Sequence, residues 1–164
     1  MTATTRSGIG WDSHRLVAGR PLILGGVTLV HPDGLGLDGH SDADVLTHAV
    51  IDALLGAAGL GDIGEHFPDT DPAFAGADSL ALLRESVERV TTAGWRPVYA
   101  DTTVVMERPK LKDHRGAMRA HLAAALGLPA GDVNVKASTG EGIGFVGREE
   151  GVAALATVTV TRPG

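Results

Sequence analysis

The chain has 164 residues, 43% of them hydrophobic, a net charge of -6 at pH 7 and no cysteine. This length and composition are typical of one globular domain, so we expect a single domain over residues 1–164 rather than a disordered chain. The acidic balance disfavours nucleic acid and anionic membranes as partners, and the lack of cysteine excludes disulfides and Cys-ligated metals.

The first residues lack the apolar core of a signal peptide, and nowhere are there about 18 consecutive apolar residues. We therefore expect no membrane association and a cytoplasmic location.

Hydrophobic periodicity predicts mixed helices and strands. In chain order these are strands at 7–12 and 22–30, a helix at 42–58 capped by Ser41 or Asp42, a long loop at 59–77, a helix marked by Leu80 to Val90, a strand at 97–107, a helix at 113–126, and strands at 132–138 and 152–161. This order predicts an α+β fold (an α/β sandwich), with helices packed on one face of a sheet, in a ferredoxin-like subunit.

Three residues in two of these elements form a candidate metal site. Asp12 and His14 share one face of the first strand because alternate strand residues point the same way, and His48 lies in the helix that follows. Together they make a three-ligand zinc set with an open fourth position. The alternative is that Asp12 caps a turn and the two histidines are unrelated. Asp44, four residues before His48, is predicted to orient its ring.

A second polar group lies where the helix at 42–58 begins. Free backbone N–H groups at a helix N-terminus favour an anion such as phosphate, and His40 could donate a hydrogen bond or a proton to it. The alternative is that Ser41 and Asp42 are plain caps and His40 is a solvated loop residue.

The long loop carries carboxylates over residues 62–71, but their spacing is not that of a calcium-binding EF-hand. Two interpretations stay open, hydrogen bonding to a polyol substrate and ordinary solvated turns.

Near the C-terminus, residues 136–145 run from a strand into a glycine-rich loop whose hydroxyls and N–H groups could hold phosphate. Glu141 in this loop could hold a hard divalent cation. The basic segment Met106 to Lys112 is either a charged turn or a pocket for a base and its phosphates.

The motifs GIGWDSHR, GHSDADVLTHAVIDALLGAAGLGDIGEHFPDTDP, ERPKL and NVKASTGEGIGFVGREEG occur in this order over nearly the whole chain. In sequence and spacing they resemble the 2-C-methyl-D-erythritol 2,4-cyclodiphosphate synthase family of the non-mevalonate isoprenoid pathway. The resemblance implies a homotrimeric lyase with active sites between adjacent subunits.

The resemblance also implies roles for individual residues. Zn²⁺ would be bound by Asp12, His14 and His48, and a second divalent cation, Mg²⁺ or Mn²⁺, by Glu141. His40 and Thr139 would contact the transition state as catalytic residues. The substrate contacts that it implies are Asp12, His14, His40, Ser41, Asp62, Ile63, Gly64, Phe67, Pro68, Asp69, Thr70, Asp71, Met106, Pro109, Lys110, Leu111, Lys112, Ser138, Thr139, Glu141, Phe145 and Arg148.

The activity implied is cyclisation of 4-diphosphocytidyl-2-C-methyl-D-erythritol 2-phosphate, a cytidine diphosphate ester, with release of CMP. No protein nucleophile is needed, because two anions have only to be positioned and neutralised. The rival hypotheses are a divalent-metal phosphohydrolase, in which the metals activate water, and a non-catalytic zinc-stabilised interaction module.

Overall fold

The computed structural model describes residues 2–164, which form one mixed sheet, a short hairpin and helices. The strands are β1 (Thr4–Ala18), β2 (Leu22–Leu24), β3 (Val27–Leu29), β4 (Leu35–Leu37), β5 (Arg96–Val105), β6 (Val133–Ser138) and β7 (Gly151–Arg162). The α-helices are α1 (Val45–Ala58), α2 (Ile63–His66), α3 (Ser79–Thr92), α4 (Arg115–Leu126) and α5 (Gly144–Gly147), and single 3₁₀ turns occur at Pro72–Phe74 and Ala130–Asp132. Within the described residues, no helix is both long enough and apolar enough to cross a membrane.

The main sheet has five strands in the order β4-β1-β7-β5-β6. The pairs β1 with β7 and β7 with β5 are antiparallel, whereas β5 and β6 are parallel and are connected through α4. Helices α1, α3 and α4 pack on one face of this sheet. The α+β class with helices on one face, predicted from the order of the elements, is confirmed.

Helix α1 lies unusually close to β1 because two glycines of the strand face it. A Cβ atom added to Gly8 would lie 2.1 Å from the carbonyl oxygen of Ala53, and one added to Gly10 would lie 1.9 Å from that of Ala49. Alanines on the helix and glycines on the strand therefore allow the two backbones to touch. This contact sets the position of every side chain that α1 directs toward β1.

Several predicted boundaries are wrong, and the causes are local. The first strand continues to Ala18 instead of ending near residue 12, because β7 pairs with it over most of its length. The predicted strand at 22–30 is a hairpin, since Gly25 and Gly26 both have positive φ and turn the chain. The sequence pattern does not indicate β4 and α5, which have only three and four residues. The loop at 59–77 contains α2 and a 3₁₀ turn.

The face of the sheet away from the helices carries exposed apolar side chains. Ile9 is 74% exposed, Trp11 52%, Tyr99 41% and Leu155 37%. Trp11 on β1 is the register partner of Leu155 on β7, so these two side chains are neighbours on this face. A group of large apolar side chains on an uncovered sheet face is typical of an interaction surface.

We expect Gly10→Ala to separate α1 from β1. The new methyl group meets the helix backbone, which cannot rotate away, so the free energy of unfolding should fall by about 1–3 kcal/mol. Urea denaturation measures this change. Gly116→Ala is the control, because Gly116 lies in α4 and no atom of residues 2–164 outside the local helix backbone is within 4 Å of the added Cβ. Alanine there should stabilise the helix by up to about 1 kcal/mol. Equal stability of Gly10→Ala and the wild type would contradict the packing described.

Candidate metal centre and active site

The side chains of Asp12, His14 and His48 converge on one point, and we call these three residues the metal group. Asp12 Oδ2 lies 2.9 Å from His14 Nε2 and 3.1 Å from His48 Nδ1, and the two ring nitrogens are 3.3 Å apart. Tetrahedral zinc with metal–nitrogen distances of about 2.0–2.1 Å separates its ligand atoms by about 3.3 Å. The three atoms therefore have the spacing of one face of a tetrahedral metal site.

Electrostatics in this group favour an ionised carboxylate. Burial of Asp12 opposes ionisation, but hydrogen bonds from His14 and His48 outweigh it and lower the pKa of Asp12 to about 2. Burial disfavours the charged form of His14, yet the hydrogen bond and the charge of Asp12 raise the pKa of His14. The group thus attracts positive charge, which a divalent cation would supply in place of protons.

The remaining ring nitrogens are held by polar partners that fix the tautomers. His14 Nδ1 donates to the carbonyl oxygen of Asp38 at 2.7 Å, which leaves Nε2 free to bind a metal. His48 Nε2 lies 2.7 Å from Ser79 Oγ and 3.2 Å from Ser41 Oγ. The Ser79 hydroxyl donates to the Asp42 carboxylate, so Ser79 accepts the N–H of His48. His48 Nδ1, which faces Asp12, therefore carries no proton in the neutral ring and is free to bind a metal.

The prediction that Asp44 orients His48 is wrong. Asp44 is the N-cap of α1, and its buried carboxylate accepts the N–H groups of Gly25, Gly26 and Thr47 and the Thr47 hydroxyl. Burial raises the pKa of Asp44 despite these bonds. Asp44 also replaces Ser41 and Asp42, the predicted caps of this helix. It ties the β2–β3 hairpin to α1 rather than acting on the metal group.

The metal group opens onto a cleft of about 360 Å³. The residues lining it are Asp12, His14, Gly39, His40, Ser41, His48, Ile63, Gly64, Phe67, Pro68, Asp69, Phe74 and Leu82. His40 Nε2 donates to the carbonyl oxygen of Asp71 at 2.9 Å, which holds the long loop over the helix N-terminus. The cleft thus combines an anionic metal group with an apolar wall.

The loop residues expected to receive the substrate are only partly directed into this cleft. Asp62 caps α2 through the N–H of Glu65, and Asp71 caps the 3₁₀ turn through the N–H of Ala73. These two carboxylates, together with Thr70, do not line the cleft. Turn chemistry, one of the two interpretations of this loop, therefore accounts for Asp62 and Asp71 in the isolated chain.

A second cavity, of about 440 Å³, lies where β5 and β6 end. It is lined by Met106, Pro109, Lys110, Leu111, Lys112, Arg115, Ala137, Ser138, Thr139 and Glu141. Three cationic side chains and one carboxylate face a mostly apolar pocket, a composition suited to an anion bearing a flat base. Glu141, which lines this cavity, lies in the loop after β6 with a φ of +54°, in the left-handed region. This cavity shares no lining residue with the cleft at the metal group.

Besides Asp62, Thr70 and Asp71, two more predicted substrate residues line neither the cleft nor the second cavity of the isolated chain. Phe145 is in α5 and is 37% exposed. Arg148, just after α5, pairs with Glu150 at 3.0 Å.

The sequence patterns do not indicate several residues that shape the two sites. Phe74 and Leu82 line the cleft, Ser79 holds His48, and Arg115 lines the second cavity. Phe74 packs edge-on against Phe67 with ring centroids 5.4 Å apart. Ser79 follows a helix cap and Arg115 follows a basic segment, so their patterns indicated only ordinary helix starts.

Fold and site together are typical of a metal-dependent enzyme that binds an anionic substrate. The model of the YgbB family matches residues 5–161, and the chain belongs to this family.

The 2-C-methyl-D-erythritol 2,4-cyclodiphosphate synthase of Bordetella petrii is 59% identical over 162 residues, which cover 99% of each chain. The bifunctional IspDF of Campylobacter jejuni has a TM-score of 0.93 and 44% identity; the match covers 99% of this chain but only 43% of that protein. A 2C-methyl-D-erythritol-2,4-cyclodiphosphate synthase in its CDP-bound form has a TM-score of 0.84 and 41% identity, over 93% of this chain and 98% of the other. The resemblance seen in the motifs is confirmed.

We expect Ser79→Ala to weaken metal binding without removing any metal ligand. His48 would lose the hydroxyl that orients its ring, and the loss of such a partner typically costs about 10–100-fold in affinity. Competition with a chromogenic chelator measures this. Ser86→Ala is the matched control, since Ser86 is also buried in α3 but its hydroxyl only donates to the Leu82 carbonyl. The same affinity in both variants would contradict the role given to Ser79.

Proposed function

We propose that this chain, as one catalytic domain over residues 1–164, cyclises 4-diphosphocytidyl-2-C-methyl-D-erythritol 2-phosphate to 2-C-methyl-D-erythritol 2,4-cyclodiphosphate and releases CMP in the cytoplasm. The observation that carries the proposal is the Asp12, His14 and His48 group at the wall of a cleft. The 59% identity to the 2-C-methyl-D-erythritol 2,4-cyclodiphosphate synthase of Bordetella petrii supports it.

The donor set fits Zn²⁺. One carboxylate and two imidazoles are borderline-soft ligands of the kind zinc takes, and three protein ligands leave a fourth position for a phosphate oxygen or water. Bound zinc would act as a Lewis acid that neutralises phosphate oxygens. Asp12, His14 and His48 are the residues that would hold it.

The reaction needs charge neutralisation more than covalent chemistry by the protein. An oxygen of the 2-phosphate bonds to the β-phosphorus, the bond from that phosphorus to the bridging oxygen breaks, and CMP leaves with the electron pair. The chain's own task is to hold two anions together and to exclude water. His40 and Ser41, in the segment that precedes α1, would contact the phosphates in the cleft, and Thr139 would contact the diphosphate.

The second cavity suits the cytidine diphosphate half of the substrate. Met106, Pro109 and Leu111 provide apolar contact for the base, and Lys110 and Lys112 provide positive charge. The carboxylate of Glu141 would repel a diphosphate unless a hard cation lay between them, so we assign Mg²⁺ or Mn²⁺ to Glu141. Asp62, Thr70, Asp71, Phe145 and Arg148 remain proposed substrate contacts.

One substrate must reach both cavities, although they share no lining residue within one chain. We therefore propose a homotrimer in which the cleft of one subunit faces the second cavity of its neighbour. The uncovered apolar face formed by Ile9, Trp11, Tyr99 and Leu155 supports assembly, because oligomerisation would bury it.

Incubation of the purified protein with the diphosphocytidyl substrate, zinc and magnesium should yield CMP and a cyclic diphosphate in equal amounts. Phosphorus NMR distinguishes the cyclic product from linear phosphates. Removal of metal by a chelator should abolish turnover, and added zinc with magnesium should restore it. Linear hydrolysed products would instead support a phosphohydrolase, and no product at all would support a non-catalytic module.

The composite site makes a further prediction about mixed subunits. His48→Ala and Glu141→Gln should each lose most turnover. His48→Ala removes a proposed zinc ligand, whereas Glu141→Gln should keep its bound zinc. Trimers refolded from equal amounts of the two variants should regain about one quarter of the wild-type sites, because each working site takes one intact residue from each of two neighbours.

Glu88→Gln, an exposed position on α3, should behave like the wild type in the same assay. Absence of any recovery in the mixture would show that each site is complete within one subunit.

A further inference from the structure

The walls of the second cavity come from two segments that are distant in sequence. One is the segment after β5, residues 106–112, and the other is the loop after β6, residues 137–141. The carboxylate of Glu107 accepts the backbone N–H of Gly140, which joins the two walls directly. The shape of the cavity therefore depends on contacts made by residues that do not line it.

Arg108 makes a stronger connection just outside the cavity. Its Nε donates to Glu149 Oε1 at 2.7 Å and its Nη2 to Glu149 Oε2 at 2.9 Å, a bidentate ion pair. The same Nη2 donates to Asp33 Oδ2 at 2.6 Å. Hydrogen bonds to Glu149 and Asp33 raise the pKa of Arg108, and the Arg108 partner lowers the pKa of Glu149. A bidentate pair within a network is the kind of exposed ion pair that orders its surroundings.

Glu149 occupies a backbone position that favours glycine. Its φ is +56°, in the left-handed region, at the turn between α5 and β7. This turn ends the stretch that begins with the cavity loop at residues 137–141. A side chain kept at such a position indicates that its contacts compensate for the backbone strain.

His31 adds a third group to the same carboxylate. Its side chain is fully buried, and its Nδ1 accepts the N–H of Asp33 at 3.0 Å. In the neutral tautomer the proton is therefore on Nε2, which lies 3.8 Å from Glu149 Oε1 and has no hydrogen-bond partner within residues 2–164. The segment before β4 is therefore bonded to the ion pair through Asp33, and the His31 ring lies beside Glu149 without a hydrogen bond to it.

We propose that Arg108 and Glu149 are positioning residues for the nucleotide pocket. Their ion pair, supported by Asp33 and His31, holds the segment after β5 at a set distance from the loop that carries Glu141. Neither residue lines the cavity, so they act through Lys110, Lys112 and the loop rather than by touching the substrate. This inference rests on the proposed function, because it takes the second cavity to be the nucleotide site.

A double-mutant cycle tests the proposal, with cytidine diphosphate as the probe. Arg108→Gln and Glu149→Gln should each raise the Kd for cytidine diphosphate about tenfold, as expected when a loop must be ordered on binding. The double variant should be no weaker than either single variant, because both remove the same link. In a steady-state assay of CMP release, KM should rise, whereas kcat should stay within about twofold of the wild-type value. Arg108→Lys keeps the charge but not the bidentate geometry, so its Kd for cytidine diphosphate should lie between the values of the wild type and Arg108→Gln.

Arg84→Gln is the control, because it removes an exposed ion pair with Asp78 on α3 and should change neither Kd nor KM. A loss confined to Arg108→Gln would mean that Arg108 binds the nucleotide directly. Lower melting temperatures with an unchanged Kd would mean a purely structural ion pair. Either result overturns the proposal, and so does a wild type that does not bind cytidine diphosphate.

The proposed function can fail separately. A wild type that binds cytidine diphosphate and shows the coupling between Arg108 and Glu149, but releases no CMP, would refute the proposed function alone.

Discussion

The contact between the glycine face of β1 and the alanine face of α1 determines where the metal group lies. Gly8, Gly10, Asp12 and His14 alternate along one strand and face the same helix. Backbone contact at the two glycines leaves no freedom in the height of α1 above the strand. His48 lies one residue before the contacting Ala49, so the packing that closes the core also brings its ring to Asp12.

The polar groups around this contact form a layered arrangement. Asp12 carries negative charge in a half-buried position, with two imidazoles as neighbours, and each imidazole is fixed from behind by an oxygen. The partner of His48 is a serine on α3 whose hydroxyl is in turn held by Asp42. Three separate elements, β1, α1 and α3, therefore determine the orientation of the candidate metal ligands, which would lower the reorganisation needed to bind a cation.

Local patterns were sufficient to group Asp12, His14 and His48 as candidate metal ligands, but not to find the residues that hold their rings in place. Strand alternation placed Asp12 with His14, and the helical pattern placed His48, since both periodicities act over a few residues. Ser79 was not predicted because its contact with His48 is long-range. The two residues are 31 positions apart in the sequence and are brought together by the packing of α3 on α1. The length of β1 likewise depends on pairing with β7 at the other end of the chain. The pairing of the cleft with a neighbour's second cavity, which we propose, would depend on contacts between chains that local patterns within one chain do not report.

We propose that β1 and α1 build a zinc site from Asp12 Oδ2, His14 Nε2 and His48 Nδ1. A crystal structure of the zinc-loaded protein, with anomalous diffraction measured on both sides of the zinc absorption edge, tests it directly. We expect one strong peak per subunit within bonding distance, about 2.0–2.2 Å, of these three atoms. A peak bound elsewhere, or a His48 ring turned so that Nε2 meets the metal and Ser79 is released, would contradict it.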